Sequence, residues 1–517
     1  MIEFKRSKQL LVDQMLIRSA RRSPDKAALV SGEVRITYQE LNDRVNQLAG
    51  WFQRHGIQKG DKAAILLYSG VEYVECLFAL AKIGAVTVPI NFRLKEKEIQ
   101  YLLNDSDAKM LILDGRFLSN IEYIQHDLHS LQDIALVGES NYNDTHLSTL
   151  SYPNSAESYQ VNLPELQDED DCLIGYTSGT TGHPKGAVLT HKNVFMNAMN
   201  YNLEFGLTKH DIQLMTTPIF HIGGISTLTM LLFIGGTSII SNHFDPQNVL
   251  QTFEEEKVSY AFMVPSMWNM LLEQKNFQTY DVSSLRILCT AAASTPLELK
   301  KRLMTYFPNA GVYDTYGQTE TSPGTTTLKP DDPLTQSGSV GLSFTNVEVR
   351  VVDENMNDVS PGEVGEIVFR GPTTMKEYYK NTVATEEVFK EGWLHSGDLA
   401  LVDKEGYLSV VDRKKDLVIS GGENIYPKEI EEVLYTHRDI LEAAVIGVPD
   451  EKWGETLKAF VVTRDEKTMT EEEVIDFCYE RLAGYKKPKY VQFVKELPRN
   501  AAGKILKTEL RKIEVQS

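Results

Sequence analysis

Cysteine is scarce in this sequence, and its few cysteines are not arranged for cross-linking or zinc binding. The four cysteines among 517 residues lie far apart, at Cys76, Cys172, Cys289 and Cys478, and no C-x-x-C pair occurs. This spacing excludes a disulfide framework and a zinc knuckle as organising features. We therefore expect a reducing, cytoplasmic setting for the chain.

Basic residues are also fewer than acidic ones. The chain has 53 Lys and Arg against 72 Asp and Glu, which gives a formal net charge of -19. A field of this sign repels nucleic acids and anionic membrane surfaces, so we expect no nucleic-acid partner. Any polyanionic ligand must be held by a local group of cations. With 42% hydrophobic and 24% charged residues, the composition excludes a disordered or collagen-like chain.

No stretch has the pattern of a membrane span or of a signal peptide. Segment 212–242 carries no Lys, Arg, Asp or Glu, but Pro218 and four glycines interrupt it. It therefore lacks a continuous apolar run of membrane-spanning length, and we predict a buried helix and strand that line a pocket. The first 26 residues mix basic with acidic side chains and no apolar region follows, so we expect no signal peptide.

Alternating strand and helix patterns indicate the fold class. Apolar runs at 63–67, 86–90 and 110–113 alternate with helical stretches at 71–83 and 95–103. This alternation is typical of a parallel, doubly wound sheet. Ser69 and Glu72 have capping-box spacing at the start of the first helical stretch, and Gly84 follows its end.

A change of pattern near residue 414 predicts a second domain. The charged run 413–416 is followed by a smaller alternation, with a helix from Pro427, strands at 443–448 and 459–462, and a helix opening at Thr470. A chain of this length is expected to hold more than one domain. We predict an α/β protein with a large multi-sheet N-terminal domain, residues 1–413, and a small α+β C-terminal domain, residues 414–517.

A loop rich in glycine and threonine is the most informative chemical signal. From Tyr176 the sequence is Y-T-S-G-T-T-G-H-P-K-G-A, directly after an apolar run. Its small side chains allow backbone N–H groups and hydroxyls to surround phosphate oxygens while Lys185 neutralises charge. It is not a Walker A loop, in which the lysine directly follows the second glycine. Taken alone, the loop is also compatible with a plain surface turn.

Five further motifs follow this loop along the chain. They are F-H-I-G-G at 220–224, Y-G-Q-T-E at 316–320, G-W-L-H-S-G-D at 392–398, D-R-K-K-D at 412–416 with S-G-G-E-N at 420–424, and P-R-N-A-A-G-K at 498–504. Together with the loop they resemble, in order, the motifs of the adenylate-forming superfamily. That superfamily contains acyl-CoA synthetases, nonribosomal peptide adenylation domains and luciferases, and the chain most resembles its fatty-acid–CoA ligases. The resemblance covers nearly the whole chain.

The resemblance implies a role for each motif. It assigns catalytic roles to Lys504, His221, Glu320 and Lys185, and Glu320 is also the implied Mg²⁺ ligand. The implied residues for ATP and CoA are Thr177, Ser178, Gly179, Thr180, Thr181, Gly182, Lys185, Asp314, Tyr316, Gly317, Thr319, Asp398, Arg413, Lys415, Gly421 and Gly422. Taken singly, such residues are more often a solvated lysine, a surface glutamate or a buried histidine with satisfied hydrogen bonds.

The implied chemistry brings two anions, a carboxylate and ATP, into contact, so well-placed cations should dominate catalysis. The resemblance assigns Lys504 to bridge the carboxylate and the α-phosphate, His221 to gate the acid pocket, and Gly421-Gly422 to admit CoA. Because Lys504 and Gly421-Gly422 serve different half-reactions, we predict that the small domain is mobile and rotates about Lys415.

The uncharged segment limits the choice of acid. No Asp or Glu lies between Asp211 and Asp245 to pair the ammonium of an amino acid, and no Lys or Arg lies between His210 and Glu256 to pair a second carboxylate. We predict an enzyme that joins a fatty or aryl monocarboxylic acid to CoA with ATP and Mg²⁺. The sequence leaves open an o-succinylbenzoate–CoA ligase, a luciferase-like oxygenase, a non-catalytic binding relative, a carrier protein as acceptor, and a homodimer.

Overall fold

The structure is a computed structural model that describes residues 2–138, 148–151, 159–177, 183–291, 295–464, 469–499 and 505–515. The helices of these residues are, in chain order, α1 Ile2–Arg6, α2 Val12–Arg22, α3 Tyr38–Arg54, α4 Val71–Ile83, α5 Glu96–Asp105, α6 Leu118–Glu122, α7 His191–Phe205, α8 Ile222–Ile234, α9 Pro246–Glu255, α10 Pro265–Leu272, α11 Leu297–Tyr306, α12 Thr382–Val388, α13 Pro427–Tyr435, α14 Glu471–Tyr479 and α15 Lys507–Val515. The strands are β1 Ala27–Ser31, β2 Val34–Thr37, β3 Lys62–Leu66, β4 Val86–Pro89, β5 Ala108–Asp114, β6 Asp133–Val137, β7 Ser148–Ser151, β8 Asp171–Thr177, β9 Lys185–Thr190, β10 Ile212–Met215, β11 Thr237–Ile240, β12 Tyr260–Met263, β13 Ile287–Thr290, β14 Gly311–Gly317, β15 Gly324–Leu328, β16 Leu342–Ser343, β17 Glu348–Val352, β18 Val364–Arg370, β19 Glu377–Tyr378, β20 Phe389–Lys390, β21 Trp393–Val402, β22 Leu408–Arg413, β23 Val418–Ser420, β24 Glu423–Ile425, β25 Ile440–Asp450, β26 Gly454–Thr463 and β27 Tyr490–Phe493.

The chain divides into two compact units. The first comprises residues 1–349 and 369–394, and the second comprises residues 350–368 and 395–517. The division predicted from the sequence, into domains of residues 1–413 and 414–517, stays a prediction.

Two large sheets organise the first unit. The order in one is β16-β15-β14-β13-β12-β10-β11-β1-β2, with parallel pairing from β14 to β1 and antiparallel pairing at both ends. The order in the other is β19-β9-β8-β4-β3-β5-β6-β7, which is parallel from β8 to β7. Parallel strands with helical crossovers are buried on both faces, which explains their apolar runs. The predicted α/β class is confirmed.

The alternation predicted between residues 61 and 114 is present as β3, α4, β4, α5 and β5. Helix α4 ends where Gly84 adopts a left-handed φ of 71°, as predicted. The predicted capping box at its start is wrong, because Gly70 is the N-cap residue and makes no side-chain cap. The Ser69 hydroxyl instead accepts a hydrogen bond of 3.0 Å from the backbone N–H of Ile219.

Segment 212–242 forms β10, α8 and β11, which matches the prediction of buried helix and strand. Most of α8 is buried, because a helix without charged side chains can present every face to the protein interior. Threonine hydroxyls of this helix donate hydrogen bonds to its own backbone carbonyls. Thr229 donates to the carbonyl of Ile225 at 2.9 Å, and Thr227 donates to that of Gly224 at 3.1 Å. Across the described residues, none of the helices is both long and apolar enough to cross a membrane.

The second unit has its own small sheet and core. Its strand order is β24-β23-β26-β25, with β27 pairing parallel to β26. Helix α13 begins with Pro427, and the capping box predicted for Thr470 and Glu473 at the start of α14 is confirmed. Buried aliphatic side chains from α13, α14 and the sheet form one core cluster.

Candidate active site

The glycine-rich loop joins β8 and β9, two antiparallel strands in which Thr177 lies opposite Lys185. These two residues are therefore the two ends of the loop. The predicted ligands Ser178, Gly179, Thr180, Thr181 and Gly182 lie outside the described residues. The Lys185 ammonium lies 5.3 Å from the centroid of the Tyr378 ring, a cation–π distance.

Glu320 lies close to the ends of this loop. It follows β14 on a short 3-10 helix, Thr319–Thr321, and its residue is only 8% exposed. Its Oε1 accepts a hydrogen bond of 2.7 Å from the Tyr378 hydroxyl, and the Thr177 hydroxyl lies 3.4 Å away. Among the described residues Glu320 has no ion-pair partner, and the two side chains that donate to its carboxylate are neutral hydroxyls. A buried carboxylate of this kind is a ready ligand for a cation.

Close packing of backbone explains how Glu320 reaches the loop. A Cβ on Gly317 would lie 1.6 Å from the carbonyl oxygen of Pro323, so only glycine fits between β14 and the following turn. A Cβ on Gly175 of β8 would lie 2.8 Å from Cγ2 of Thr319. The two sheets therefore bring the predicted residues Gly317, Thr319 and Glu320 against the strand that leads into the loop.

Tyr316 and Asp314, also from β14, have different surroundings. The ring of Tyr316 is 6.1 Å from that of Phe369, and the Tyr316 carbonyl accepts a hydrogen bond of 2.8 Å from the Thr325 hydroxyl. Asp314 is buried and forms an ion pair of 2.8 Å with Lys300, both side chains being 8% exposed. Its charge is therefore already matched within the protein. No sequence motif pointed to Lys300.

Tyr378 is a site residue that the sequence reasoning missed. It lies in β19, which pairs with the outer side of β9 so that Tyr378 is opposite Ala187. This pairing carries its hydroxyl to Glu320 and its ring to Lys185. Because the contact joins segments far apart in the sequence and no motif contains Tyr378, only the sheet topology reveals it.

His221 lies at the N-cap position of α8, at the end of a row of aromatic rings. Its ring is 4.3 Å from that of Phe220, Phe220 is 5.2 Å from Phe92 in an edge-on arrangement, and Phe92 is 4.5 Å from Tyr68. Burial lowers the pKa of His221 to about 4, and the nearby positive charge of Arg93 acts in the same direction. His221 is therefore neutral at physiological pH.

The second unit brings together two predicted ribose-binding residues. Asp398 in β21 pairs in register with Arg413 in β22, and the Arg413 Nε lies 2.6 Å from the Asp398 Oδ1. The next residue, Lys414, lies 3.1 Å from the Glu366 carboxylate. Desolvation lowers the pKa of Lys415, with Asp416 opposing and Arg413 adding to the decrease. This segment concentrates three consecutive cations.

Gly421 and Gly422 form the turn between β23 and β24. Their φ angles are 60° and 89°, which is left-handed at both positions and typical of a tight hairpin turn. A Cβ on Gly421 would lie 2.7 Å from the ring of Trp453, whereas one on Gly422 would meet no atom within 4 Å. Glycine is therefore required at position 421 by packing against Trp453 and at position 422 by its left-handed backbone conformation. Lys504, the predicted catalytic lysine, lies outside the described residues.

The described residues include no group of three or more His, Cys, Asp or Glu side chains that could hold a metal ion. Mg²⁺ does not need one, because it commonly binds through one or two carboxylates, waters and substrate phosphates. Glu320 fits that requirement, since its buried carboxylate accepts hydrogen bonds from two hydroxyls and is not paired with a cation in the described chain.

Comparisons with known proteins identify the family of the chain. Residues 16–379 match the model of the AMP-binding enzyme family, and residues 429–504 match that of the AMP-binding enzyme C-terminal domain. A feruloyl-CoA synthase from an Amycolatopsis species is 39% identical over 497 residues, which cover 96% of this chain and 97% of the relative. A 2-succinylbenzoate–CoA ligase from Bacillus cytotoxicus is 38% identical over 499 residues, with coverage of 96% and 98%.

A solved structure is also similar over nearly the full length. The o-succinylbenzoate CoA synthetase from Bacillus subtilis, in complex with its acyl-adenylate intermediate, superimposes with a TM-score of 0.86 at 32% identity and covers 96% of this chain and 97% of its own. Another structure of that enzyme contains ATP and a magnesium ion. These matches confirm the predicted enzyme class, an AMP-forming acid–CoA ligase. The chain belongs to the AMP-binding enzyme family, the adenylate-forming superfamily that its motifs resemble.

Proposed function

We propose that the protein is an ATP-dependent aryl-CoA ligase, which activates an aromatic monocarboxylic acid as its acyl-adenylate and transfers the acyl group to CoA. The observation that carries this proposal is the row of aromatic rings that ends at a neutral His221 beside the uncharged helix α8. Aromatic rings favour edge-on and offset contacts with other rings. A pocket bordered by such rings suits an aryl acid better than a flexible alkyl chain, which was the other acid predicted from the sequence.

The ends of the glycine-rich loop and Glu320 form the ATP side of the proposed site. Lys185 would supply positive charge for the phosphates, and Glu320, which the Tyr378 hydroxyl holds in place, would hold Mg²⁺. When bound, Mg²⁺ neutralises phosphate charge and aligns the leaving pyrophosphate. The role of Tyr378 is to hold the Glu320 carboxylate in place without neutralising it.

The first half-reaction joins the acid to AMP. A carboxylate oxygen attacks the α-phosphorus, a new P–O bond forms, and the bond to pyrophosphate breaks. Lys504 bridges the carboxylate and the α-phosphate, so that its ammonium offsets the repulsion between the two anions. Tyr316 stacks on adenine, and Asp398 and Arg413 bind the ribose.

The second half-reaction transfers the acyl group to sulfur. The CoA thiol loses its proton to solvent and its sulfur attacks the acyl carbon, the C–S bond forms, and AMP leaves as the C–O bond breaks. The turn at Gly421 and Gly422 admits the pantetheine arm, because two successive glycines leave the backbone uncovered. Rotation of residues 414–517 about Lys415 exchanges Lys504 for this turn between the two steps.

A second candidate is a 2-succinylbenzoate–CoA ligase, which acts on an acid with two carboxylates. The uncharged segment 212–242 offers no cation for the second one, but Arg93 reaches this region from another part of the chain. Its charge is close enough to His221 to contribute to the lowered pKa of the imidazole. A dicarboxylate would therefore have a cation at the edge of the acid pocket.

The experiment that tests the proposal measures thioester formation with ATP, Mg²⁺ and CoA across ferulate, benzoate, 2-succinylbenzoate, octanoate and palmitate. The proposal predicts the highest kcat/KM with an aryl monocarboxylate. A preference for 2-succinylbenzoate that is lost in Arg93→Met would favour the second candidate, and a preference for palmitate would contradict both. Light emission that depends on oxygen would indicate a luciferase-like enzyme.

A further inference from the structure

Helix α15, which follows the C-terminal motif, is joined by two ion pairs to parts of the second unit next to the proposed hinge. The Lys507 ammonium lies 2.8 Å from Oε1 of Glu431, and the Arg511 guanidinium lies 2.9 Å from Oδ1 of Asp416. Asp416 closes the short 3-10 helix Lys414–Asp416 that contains the hinge residue. The helix therefore contacts the hinge segment through its own side chains.

The Lys507 pair is largely removed from solvent. The Lys507 and Glu431 side chains are 17% and 16% exposed, and Oε1 of Glu431 also accepts the backbone N–H of Val445 at 2.8 Å. Burial raises the pKa of Glu431 and of Asp412, and in both the Lys507 charge is the largest opposing influence. Lys507 thus offsets the charge of the partly buried Glu431 and of the buried Asp412, which begins the hinge motif.

The segment that carries Lys504 begins and ends at a fixed place on the same unit. Arg499 and Ile505, which flank residues 500–504, form an antiparallel bridge, and the N–H of Leu506 donates to the carbonyl of Pro498 at 2.8 Å. Leu510 of α15 is fully buried against the sheet. The ion pair between Arg511 and Asp416 links α15 directly to the hinge segment.

We infer that Lys507 and Arg511 are positioning residues for adenylation, which hold α15, and with it the base of the Lys504 segment, in fixed orientation to Asp412 and Asp416 at the hinge. This inference rests on the proposed function. Rotation about the hinge then moves Lys504 as part of one body, because the helix cannot turn independently of the hinge segment. Thioester formation from preformed acyl-adenylate does not use Lys504 and does not depend on this link.

The test separates the two half-reactions in full-length Arg511→Gln. Acid-dependent ATP–pyrophosphate exchange should fall at least about 10-fold, because small misplacement of a catalytic group is costly. Thioester formation from synthetic aroyl-AMP and CoA should stay within about 2-fold of wild type. Lys512→Gln is the matched control, since Lys512 lies on the same helix but pairs only with the exposed Glu509 among the described residues. It should leave both rates unchanged.

Two double variants keep the test decisive. If the pair itself matters, Asp416→Asn combined with Arg511→Gln should be no worse than the poorer single variant. Because Lys507→Met alone leaves a buried carboxylate unpaired and threatens folding, it is made together with Glu431→Gln, and exchange should again fall selectively. Equal loss of both half-reactions, or an Arg511→Gln enzyme that behaves like the Lys512→Gln control, would overturn this inference alone. A wild-type protein without acid-dependent exchange would overturn the proposed function and this inference with it.

Discussion

Two glutamates that are largely removed from solvent, one in each unit, are held in opposite ways. Glu320 in the first unit accepts hydrogen bonds from the hydroxyls of Tyr378 and Thr177. Glu431 in the second unit pairs with the Lys507 ammonium at 2.8 Å. The first carboxylate keeps its net charge within the described chain, and the second is neutralised by a neighbouring side chain.

The difference separates a carboxylate that can bind a ligand from one that holds the protein together. A buried charge without a counterion is costly, so we expect one where a bound cation supplies the missing counterion. A buried ion pair is already complete and fixes the elements that it joins. We therefore assign Glu320 to a cation of the reaction and Glu431 to the architecture of the small unit.

The largest effect is expected from Glu320→Gln, which keeps the shape and the hydrogen-bond acceptor but removes the charge. Loss of the proposed Mg²⁺ ligand should lower acid-dependent pyrophosphate exchange by at least about 100-fold and raise the Mg²⁺ concentration that it needs. Thermal unfolding should change little. Glu431→Gln, which leaves Lys507 without its partner, should instead lower Tm and leave the Mg²⁺ requirement unchanged. If the two variants behaved alike, the contrast between the two glutamates would be lost.

Tyr378→Phe should have a smaller effect of the same kind. It removes the 2.7 Å hydrogen bond to Glu320 but keeps the ring beneath Lys185. A hydrogen bond to a charged group is worth enough for a decrease in exchange of about 10-fold. The decrease should be in the apparent affinity for Mg²⁺–ATP and not in the KM for the acid. An altered KM for the acid with normal use of ATP would place Tyr378 elsewhere in the mechanism.

The two glycines of the proposed CoA turn should differ in their sensitivity to alanine. In Gly421→Ala the new Cβ would lie 2.7 Å from the Trp453 ring and at a φ of 60°, so both packing and backbone are strained. In Gly422→Ala only the backbone is strained, at a cost of about 1 kcal/mol. Thioester formation from aroyl-AMP should fall several-fold more in Gly421→Ala than in Gly422→Ala, with pyrophosphate exchange retained in both. The reverse order would contradict the packing argument.

The smallest effect concerns the pH dependence of acid recognition. His221 has a pKa lowered to about 4 by burial, so between about pH 5.5 and pH 8 it stays neutral. His221→Gln should therefore change the KM for the acid without changing how that KM varies over this range. The same shift lowers stability as pH falls from the unfolded pKa of about 6.5 towards 4, because only the unfolded chain takes up the proton. A KM profile with an inflection near pH 6.5 that the variant abolished would show a charged His221.

The sequence predicted those parts of the site that are local in the chain. Helix α4 over Val71–Ile83 and the buried segment 212–242 follow from patterns within short stretches, whereas the pairing of Asp398 with Arg413 appeared only in the structure. Tyr378 and Arg93 were missed, because each reaches the site from a distant segment. The absence of charge in segment 212–242 therefore does not determine the electrostatic potential of the acid pocket, because residues from other segments contribute to it.

Ser69 shows the same limit at the level of one hydroxyl. Its spacing to Glu72 predicted a helix cap, but the hydroxyl accepts the backbone N–H of Ile219, a partner 150 residues away in sequence. Spacing along the chain identifies only a nearby hydrogen-bond partner for such a hydroxyl, whereas the folded chain can bring a distant backbone group to it. The pairing of Asp314 with Lys300 likewise depends on the packing of α11 against β14 and could not be predicted from the motif beside Asp314.

The most direct measurement is a single turnover followed in two stages with purified protein, ATP, Mg²⁺ and an aryl monocarboxylate. The account predicts that one equivalent of pyrophosphate per active site forms before CoA is added, and that AMP and aroyl-CoA appear together only afterwards. Pyrophosphate release that required CoA from the start, or thioester formation accompanied by ADP and phosphate, would contradict it.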